Sequence, residues 1–108
     1  MGRIPGLFRT IGPIAKTALA SLTAEETGVI EVGTDDIYIY LPTYVGNDGL
    51  TYTIKVLATY SAGVTVCPTL SQKVDGAAST VSTAIYDALT VVAGTDGWNI
   101  TAKVGTWS

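Results

Sequence analysis

The sequence predicts an all-β protein: a single small antiparallel β-sandwich or jelly-roll-like barrel with an extended N-terminal arm. From residue 23 onward, apolar residues recur with period two, which is the spacing of residues on one face of a pleated strand. Turn-forming residues separate these runs at intervals of about 8 to 12 residues, as in small sandwiches and barrels. The chain has no long helical pattern. Together these observations favour short strands packed around one core.

The chain of 108 residues has the length of one domain, and a fold of this size buries roughly two-thirds of the surface that its unfolded chain exposes. Its composition is 47% hydrophobic and 14% charged, against about 25% charged in an average soluble domain. The single cysteine, Cys67, excludes a disulfide within the chain. Its position in the alternating "GVTVCP" predicts a half-buried, unreactive thiol.

Residues 1–22 are predicted to form a basic N-terminal arm, and residues 23–108 the β domain. The arm contains three basic residues and no acid, whereas the β domain contains three lysines and all nine acids. Proline and glycine at positions 5, 6, 12 and 13 interrupt any helix, apart from a short helical turn over residues 14–22. Such an arm cannot bury its large apolar side chains against itself, so we expect it to pack on its own domain or to dock on a partner. The candidate partner-binding residues are Arg3, Leu7, Phe8, Arg9, Ile11 and Lys16.

The β domain is predicted to contain seven strands. The second has an aliphatic face formed by Ile37 and Ile39 and an aromatic face formed by Tyr38 and Tyr40. The third, in "LTYTIKVLATY", is the clearest because β-branched and aromatic residues fill it and its solvent side is polar. In order, the predicted strands cover residues 29–32, 37–41, 50–57, 64–67, 81–86, 89–93 and 98–104.

Three Asp-Gly pairs, at positions 48–49, 75–76 and 96–97, mark turns between these strands. Aspartate tolerates a positive φ and glycine favours it, so the dipeptide suits tight turns between antiparallel strands. The clearest hairpin is "VVAGTDGWNI". We therefore expect Gly97 to adopt a positive φ in the turn of that hairpin.

The composition argues against an enzyme. The chain has no histidine, which removes the imidazole base, the Ser-His and Cys-His pairs and the usual zinc or iron sites. The acids Glu25-Glu26 and Asp35-Asp36 are sequence neighbours that point to opposite faces of a strand, so solvated loop acids are favoured over a glycosidase-like pair. Loop aspartates are favoured as turn formers over calcium ligands. We expect no catalytic, metal-binding or cofactor-binding residues.

Other partners are constrained by the same sequence. No glycine-rich phosphate loop opens a helix, and an acidic β domain argues against nucleic acid. No apolar run reaches the ~20 residues that span a bilayer, and no secretory signal precedes the domain. The six tyrosines and two tryptophans could stack on sugars. In a domain this small most of these rings are expected in the core or in subunit contacts.

The order of short motifs in residues 22–108 resembles a small β-module that recurs in tailed-bacteriophage virion proteins. These motifs are "LTAEETG", a strand ending in "YLP", "GLTYTIKV", "GVTVCP", "VDG" and the late pair "ALTVVAGTDGWNITAKVGTW". In the module, the "V-T-V-x-P" strand is usually followed by an Asp- or Gly-rich loop and a "D-x-I-x-G" element. Here "TLSQKVDGAAST" keeps only Val74, Asp75 and Gly76, which leaves the subtype open.

The resemblance implies a non-enzymatic virion protein of the capsid decoration, head-fibre or tail-fibre type. A free-standing module with a basic arm is more similar to a capsid decoration protein, located on the head surface and made in the host cytoplasm, than to a receptor-binding fibre. The expected partners are the major capsid protein or a neighbouring virion protein, and further copies of the chain in a homotrimer. The alternative is a host-recognition or carbohydrate-binding module that uses exposed aromatic side chains.

Overall fold

The computed structural model describes residues 14–69 and 72–108, which form nine strands in two sheets and contain no helix. This confirms the all-β prediction. In chain order the strands are β1 (Ile14–Lys16), β2 (Ala20–Ser21), β3 (Gly28–Val32), β4 (Ile37–Leu41), β5 (Thr51–Val56), β6 (Val64–Pro68), β7 (Thr80–Ser82), β8 (Ala88–Ala93) and β9 (Trp98–Val104).

Up to β6 the chain alternates between the two sheets. One sheet has five strands in the order β1-β3-β5-β8-β9, and the other has four in the order β2-β4-β6-β7. Each pass through both sheets forms one turn of a winding, which we call a coil. The three coils are β1–β2, β3–β4 and β5–β6. The strands after the third coil add to the two sheets in antiparallel fashion: β7 pairs with β6, and β8 pairs with β5.

The expected antiparallel arrangement is wrong for most strand pairs. The pairs β1/β3, β3/β5, β2/β4 and β4/β6 are parallel, and only β5/β8, β6/β7 and β8/β9 are antiparallel. Up to β6, successive strands lie in opposite sheets. Each strand therefore pairs with the corresponding strand of the next coil, and the two strands run in the same direction. Asp48-Gly49 lies between β4 and β5, in different sheets, and is therefore not a hairpin turn.

Residues 14–22, which were assigned to the arm with a helical turn, form β1 and β2 instead. Ile14 lies opposite Ile30, and Ala20 lies opposite Ile39. Leu22 is buried, and its backbone N–H donates to the carbonyl of Tyr40 at 2.8 Å. Two and three residues are too few to show a periodic pattern, so neighbouring strands determine their conformation. The remaining residues of the predicted arm, 1–13, lie outside the described residues.

A single hydrophobic core lies between the sheets. Alternate residues of the strands face it, as period two predicts, and the fully buried aliphatic side chains contribute about 1.5–3 kcal/mol each relative to exposure. Tyr52 and Trp98 pack in the same core with ring centroids 5.8 Å apart. The buried aliphatic strand residues are Ile30, Val32, Ile54, Val56, Leu89, Val91 and Ala93 in the five-strand sheet and Ile37, Ile39, Leu41, Val64 and Val66 in the four-strand sheet.

The strand predicted over residues 81–86 is wrong in its second half. Strand β7 ends at Ser82, and a turn follows in which Tyr86 has φ 68°. The backbone N–H of Asp87 donates to the carbonyl of Ala84 at 3.2 Å and closes the turn. The sequence contains no glycine or proline here, so it gives no sign of this reversal.

The hairpin between β8 and β9 is confirmed. The backbone N–H of Gly94 donates to the carbonyl of Gly97 at 2.8 Å, and Gly97 has φ 156°. A Cβ on Gly97 would lie 3.1 Å from the carbonyl oxygen of Lys73.

Gly97→Val is expected to lower the free energy of unfolding by about 1–3 kcal/mol, because a β-branched residue is strained at this φ. Urea denaturation would measure the change. Thr95→Val, in the exposed part of the same turn, is the control and should remain within about 0.5 kcal/mol of the wild type. An unchanged midpoint for Gly97→Val would contradict the expectation.

Candidate partner-binding surface

Of the six predicted partner-binding residues, the structure describes only Lys16. Its ammonium lies 2.7 Å from Oε2 of Glu26, and both side chains are mostly covered. The second oxygen of Glu26 accepts the backbone N–H of Thr23 at 3.0 Å. The hydrogen bond from Lys16 holds the pKa of Glu26 below its ordinary value. Lys16 thus binds its own domain, while Arg3, Leu7, Phe8, Arg9 and Ile11 lie outside the described residues.

The first coil forms one end of the winding, and residues 1–13 join the domain there. Strands β1 and β2 are the outermost strands of their sheets on this side. Ile14 and Ala20 pack against the core but are only partly buried, and Leu19, between the two strands, is 62% exposed. We call this surface, formed by Ile14, Leu19 and Ala20, the first-coil end. Sequence patterns missed it because Leu19 was read as part of the arm.

On the opposite side, the chain covers one of its edges. The outermost strand of the four-strand sheet, β7, is paired by residue 108: the backbone N–H of Val81 donates to Ser108, and that of Ser108 donates back, at 2.9 and 3.0 Å. Trp107 beside it is buried. At the first-coil end, by contrast, no strand of residues 14–69 and 72–108 pairs with the outer edge of β1 or β2.

Asp35 joins two loops that are distant in the sequence. Its Oδ1 accepts the backbone N–H groups of Ala62 and Gly63 at 3.1 and 2.8 Å. Its Oδ2 accepts the backbone N–H and the hydroxyl of Ser61 at 3.3 and 3.0 Å. These hydrogen bonds, the one from Gly63 foremost, lower the pKa of Asp35 to about 2. The carboxylate thus connects the β3–β4 turn to the β5–β6 loop and is occupied by its own chain.

Asp35→Asn is expected to lower the melting temperature at pH 7. One carboxylate oxygen would be replaced by an NH2 group, which cannot accept the hydrogen bonds that residues 61–63 donate to it. A carboxyl whose pKa is about 2 in the folded chain, against an ordinary value near 4, stabilises the fold above pH ~4 and loses this contribution as the pH falls toward ~2. The melting temperatures of wild type and variant should therefore converge over that interval. Asp36→Asn, with an exposed side chain, is the control. A difference that stays constant from pH 7 to 2 would contradict this role of Asp35.

Two further acids, Asp87 and Asp75, also have structural partners. Asp87 is buried, and its Oδ2 accepts the Ser82 hydroxyl at 2.6 Å and the Thr106 backbone N–H at 3.2 Å, beside a cavity of about 310 Å³. Asp75 accepts the Ile100 backbone N–H at 3.0 Å, at a second cavity of about 320 Å³. Across residues 14–69 and 72–108, no group of three or more acids and cysteines is placed to hold a metal ion.

The aromatic residues divide between the core and the surface. Tyr52, Trp98 and Trp107 are buried. The Tyr52 hydroxyl donates to the Thr23 carbonyl at 2.6 Å, and burial, followed by the charges of Glu26 and Glu25, raises its pKa to about 12. On the outer face of the four-strand sheet, Tyr38 and Tyr40 stack with centroids 6.2 Å apart, and Tyr38 is 41% exposed. This pair is the candidate sugar platform.

Cys67 is half-buried on β6, as predicted from its alternation. Its Sγ lies 3.6 Å from the carbonyl oxygen of Ala78. For the part of the chain that the structure describes, no helix has the length and apolarity needed to cross a membrane.

Neither protein-family models nor the curated proteins gave a match to this chain.

Proposed function

We propose that this chain is a non-enzymatic bacteriophage virion structural protein, a capsid decoration or cement protein that binds and stabilises the head surface. Its partners would be the major capsid protein or a neighbouring virion protein, together with further copies of itself in a homotrimer. Neither nucleic acid nor membrane takes part in this proposal. In this account the two-sheet β domain is the folded body, and residues 1–13 are an extended arm.

The first-coil end is the observation that carries the proposal. It leaves Ile14 and Ala20 only partly buried, it exposes Leu19, and residues 1–13 join it directly. Those residues include the apolar Leu7, Phe8 and Ile11. An apolar end continuous with an apolar segment is typical of a surface that a partner covers.

Charge is distributed so that this end should face the partner. Residues 1–13 carry Arg3 and Arg9 and no acid, whereas residues 14–108 carry four lysines and nine acids. An acidic shell surface would attract residues 1–13 and repel the acidic residues 14–108. Charge of this kind guides encounter and orientation, while apolar anchors determine the residence time.

Because β1 pairs with β3, a test truncation has to end at residue 13. Deleting residues 1–13 is expected to leave the melting temperature nearly unchanged and to reduce binding to purified shells at least about tenfold, a loss of about 1.4 kcal/mol. Co-sedimentation with shells that lack the protein would measure binding.

Matched variants separate charge from apolar contact. Replacing Arg3 and Arg9 with serine should weaken binding less, with a smaller salt dependence than the wild type. Leu7→Ala with Phe8→Ala should speed dissociation. Asp48→Ser, in an exposed loop of the acidic part, is the control and should bind normally. Full occupancy by the truncated protein would refute attachment through this segment.

The alternative is a host-recognition or carbohydrate-binding module, which the stacked Tyr38–Tyr40 pair favours. Exposed aromatic faces provide the stacking surfaces that sugars use. Saturable binding to a glycan array that Tyr38→Ala abolishes, with shell binding absent, would favour this function. Tyr86→Ala, at another exposed tyrosine, is the control.

A further inference from the structure

The outer face of the five-strand sheet is weakly polar and is uncovered by the described residues. Strand register aligns Val29, Thr53, Thr90 and Ala102 in one row across four strands. None of these side chains is buried. The hydroxyls of Thr53 and Thr90 lie 2.9 Å apart and share a hydrogen bond, which satisfies polar groups in the middle of the face. Short side chains lose little conformational freedom when a partner covers them.

The size of this face is near the lower limit for association between protein chains. Five strands spaced about 4.8 Å apart, with three to seven residues each at about 3.4 Å per residue, give a surface of roughly 440 Å². Two such faces would bury about 900 Å² in total, just below the roughly 1,000 Å² of a specific interface, which corresponds to a weak contact. The outer face of the four-strand sheet is smaller, because two of its strands have only two and three residues.

One margin of the face carries exposed apolar side chains held in place by the fold. Tyr86 is 61% exposed although an aromatic residue is strained at its φ of 68°. Its backbone N–H donates to the Val56 carbonyl at 2.7 Å, and the Lys55 ammonium lies 5.5 Å from its ring centroid. Val104, two strands away in the row of Lys55, is 60% exposed. A rigid exposed aromatic ring is typical of an interface anchor.

The charges on this face complement each other. Glu31 and Lys55 lie opposite each other on β3 and β5. Within residues 14–69 and 72–108 the ion pair is Lys16–Glu26, so Glu31 and Lys55 are not joined at salt-bridge distance. A second copy could therefore place its Lys55 against Glu31 of the first. One acid and one base on an otherwise neutral face make that face complementary to another copy of itself.

The edges of the same sheet disfavour association by strand addition. Lys16 on β1 lies opposite Val32, and Lys103 on β9 lies opposite the buried Leu89. Both lysines are thus on the core side of an edge strand. An inward-pointing charge at this position prevents a further strand from extending the sheet. Copies would meet through the face and not through the edges.

We propose that copies of this chain associate through the outer face of the five-strand sheet, with Glu31 of one copy against Lys55 of another and Tyr86 at the margin of the contact. The inference rests on the homo-oligomer of the proposed function and assigns the surface that forms it. It is independent of the capsid-binding segment.

Charge reversal tests the contact. Light scattering at micromolar concentration should give the wild type a multiple of the 11.2 kDa chain mass. Glu31→Lys alone and Lys55→Glu alone place like charges together and should each raise the dissociation constant at least about tenfold. The double variant exchanges the charges and should restore assembly. Asp48→Lys, outside the face, is the control and should assemble as the wild type does.

A steric variant does not depend on the charges. Ala102→Arg, exposed on this face, should dissociate the oligomer, whereas Tyr38→Arg on the other sheet should not. Circular dichroism melts confirm that each variant is folded. If the wild type assembles and neither the single reversals nor Ala102→Arg changes the mass of the assembly, the copies do not associate through this face. That result would leave the proposed oligomer and the proposed capsid attachment unaffected. A monomeric wild type that assembles only without residues 1–13 would mean that its own N-terminal segment covers the face, and would overturn the proposal.

Discussion

Replacing Trp98 with alanine is expected to lower the free energy of unfolding by about 3–5 kcal/mol, a large share of the roughly 5–15 kcal/mol of a whole domain. Trp98 is 1% exposed and contacts the Tyr52 ring. Its indole N–H donates to the Pro42 carbonyl at 3.0 Å, which joins β9 to the loop after β4. Its backbone N–H donates to Lys73 at 2.9 Å, which holds the segment before β7. The side chain therefore supports the core and the connection to Pro42, whereas the bond to Lys73 is made by the backbone.

Urea denaturation would measure this loss, and Trp98→Phe separates its two parts. Phenylalanine keeps most of the apolar contact but leaves the Pro42 carbonyl without its donor, so it should cost less than alanine, about 1–3 kcal/mol. A loss below about 1 kcal/mol for Trp98→Ala would show that the core does not depend on this ring.

Gly63→Ala is expected to lower the free energy of unfolding by about 2–6 kcal/mol, because backbone strain and overpacking each contribute about 1–3 kcal/mol. Gly63 has φ 92°, and a Cβ there would lie 2.5 Å from the Ser82 carbonyl oxygen. That oxygen belongs to the backbone of β7 and cannot turn away. The carbonyl of Gly63 also accepts the Ile37 N–H at 3.2 Å, so a shift would disturb the start of β4.

Gly46→Ala is the matched control for this substitution. Gly46 has φ 77°, but its Cβ would meet no atom within 4 Å. It should therefore show the backbone strain alone, about 1 kcal/mol. The difference between the two midpoints in urea measures the steric overlap at Gly63, and equal midpoints would contradict that overlap.

The strands of the β domain were largely predictable because their alternation is local. The strands Ile37–Leu41 and Trp98–Val104 have the predicted bounds. The direction of pairing was not predictable, because an inward-outward alternation is the same in parallel and antiparallel sheets. Sequence also gave no sign of which sheet each strand enters, so the winding of three coils was missed.

The candidate surfaces were harder to predict than the strands. Asp35 was correctly read as a loop acid, but its partners at residues 61–63 lie more than twenty positions away and follow no local pattern. Lys16 was assigned to a partner by its charge, whereas its ion pair with Glu26 requires the folded first coil. The exposure of Tyr86 depends on a turn that has no glycine or proline to mark it.

Electron cryomicroscopy of the intact virion tests the central proposal most directly. The account predicts copies of this β domain at repeated lattice positions on the outer shell, grouped in threes, with the first-coil end and residues 1–13 against the capsid protein. Density for the domain only at the tail, or particles that contain none of it, would contradict the assignment as a capsid decoration protein.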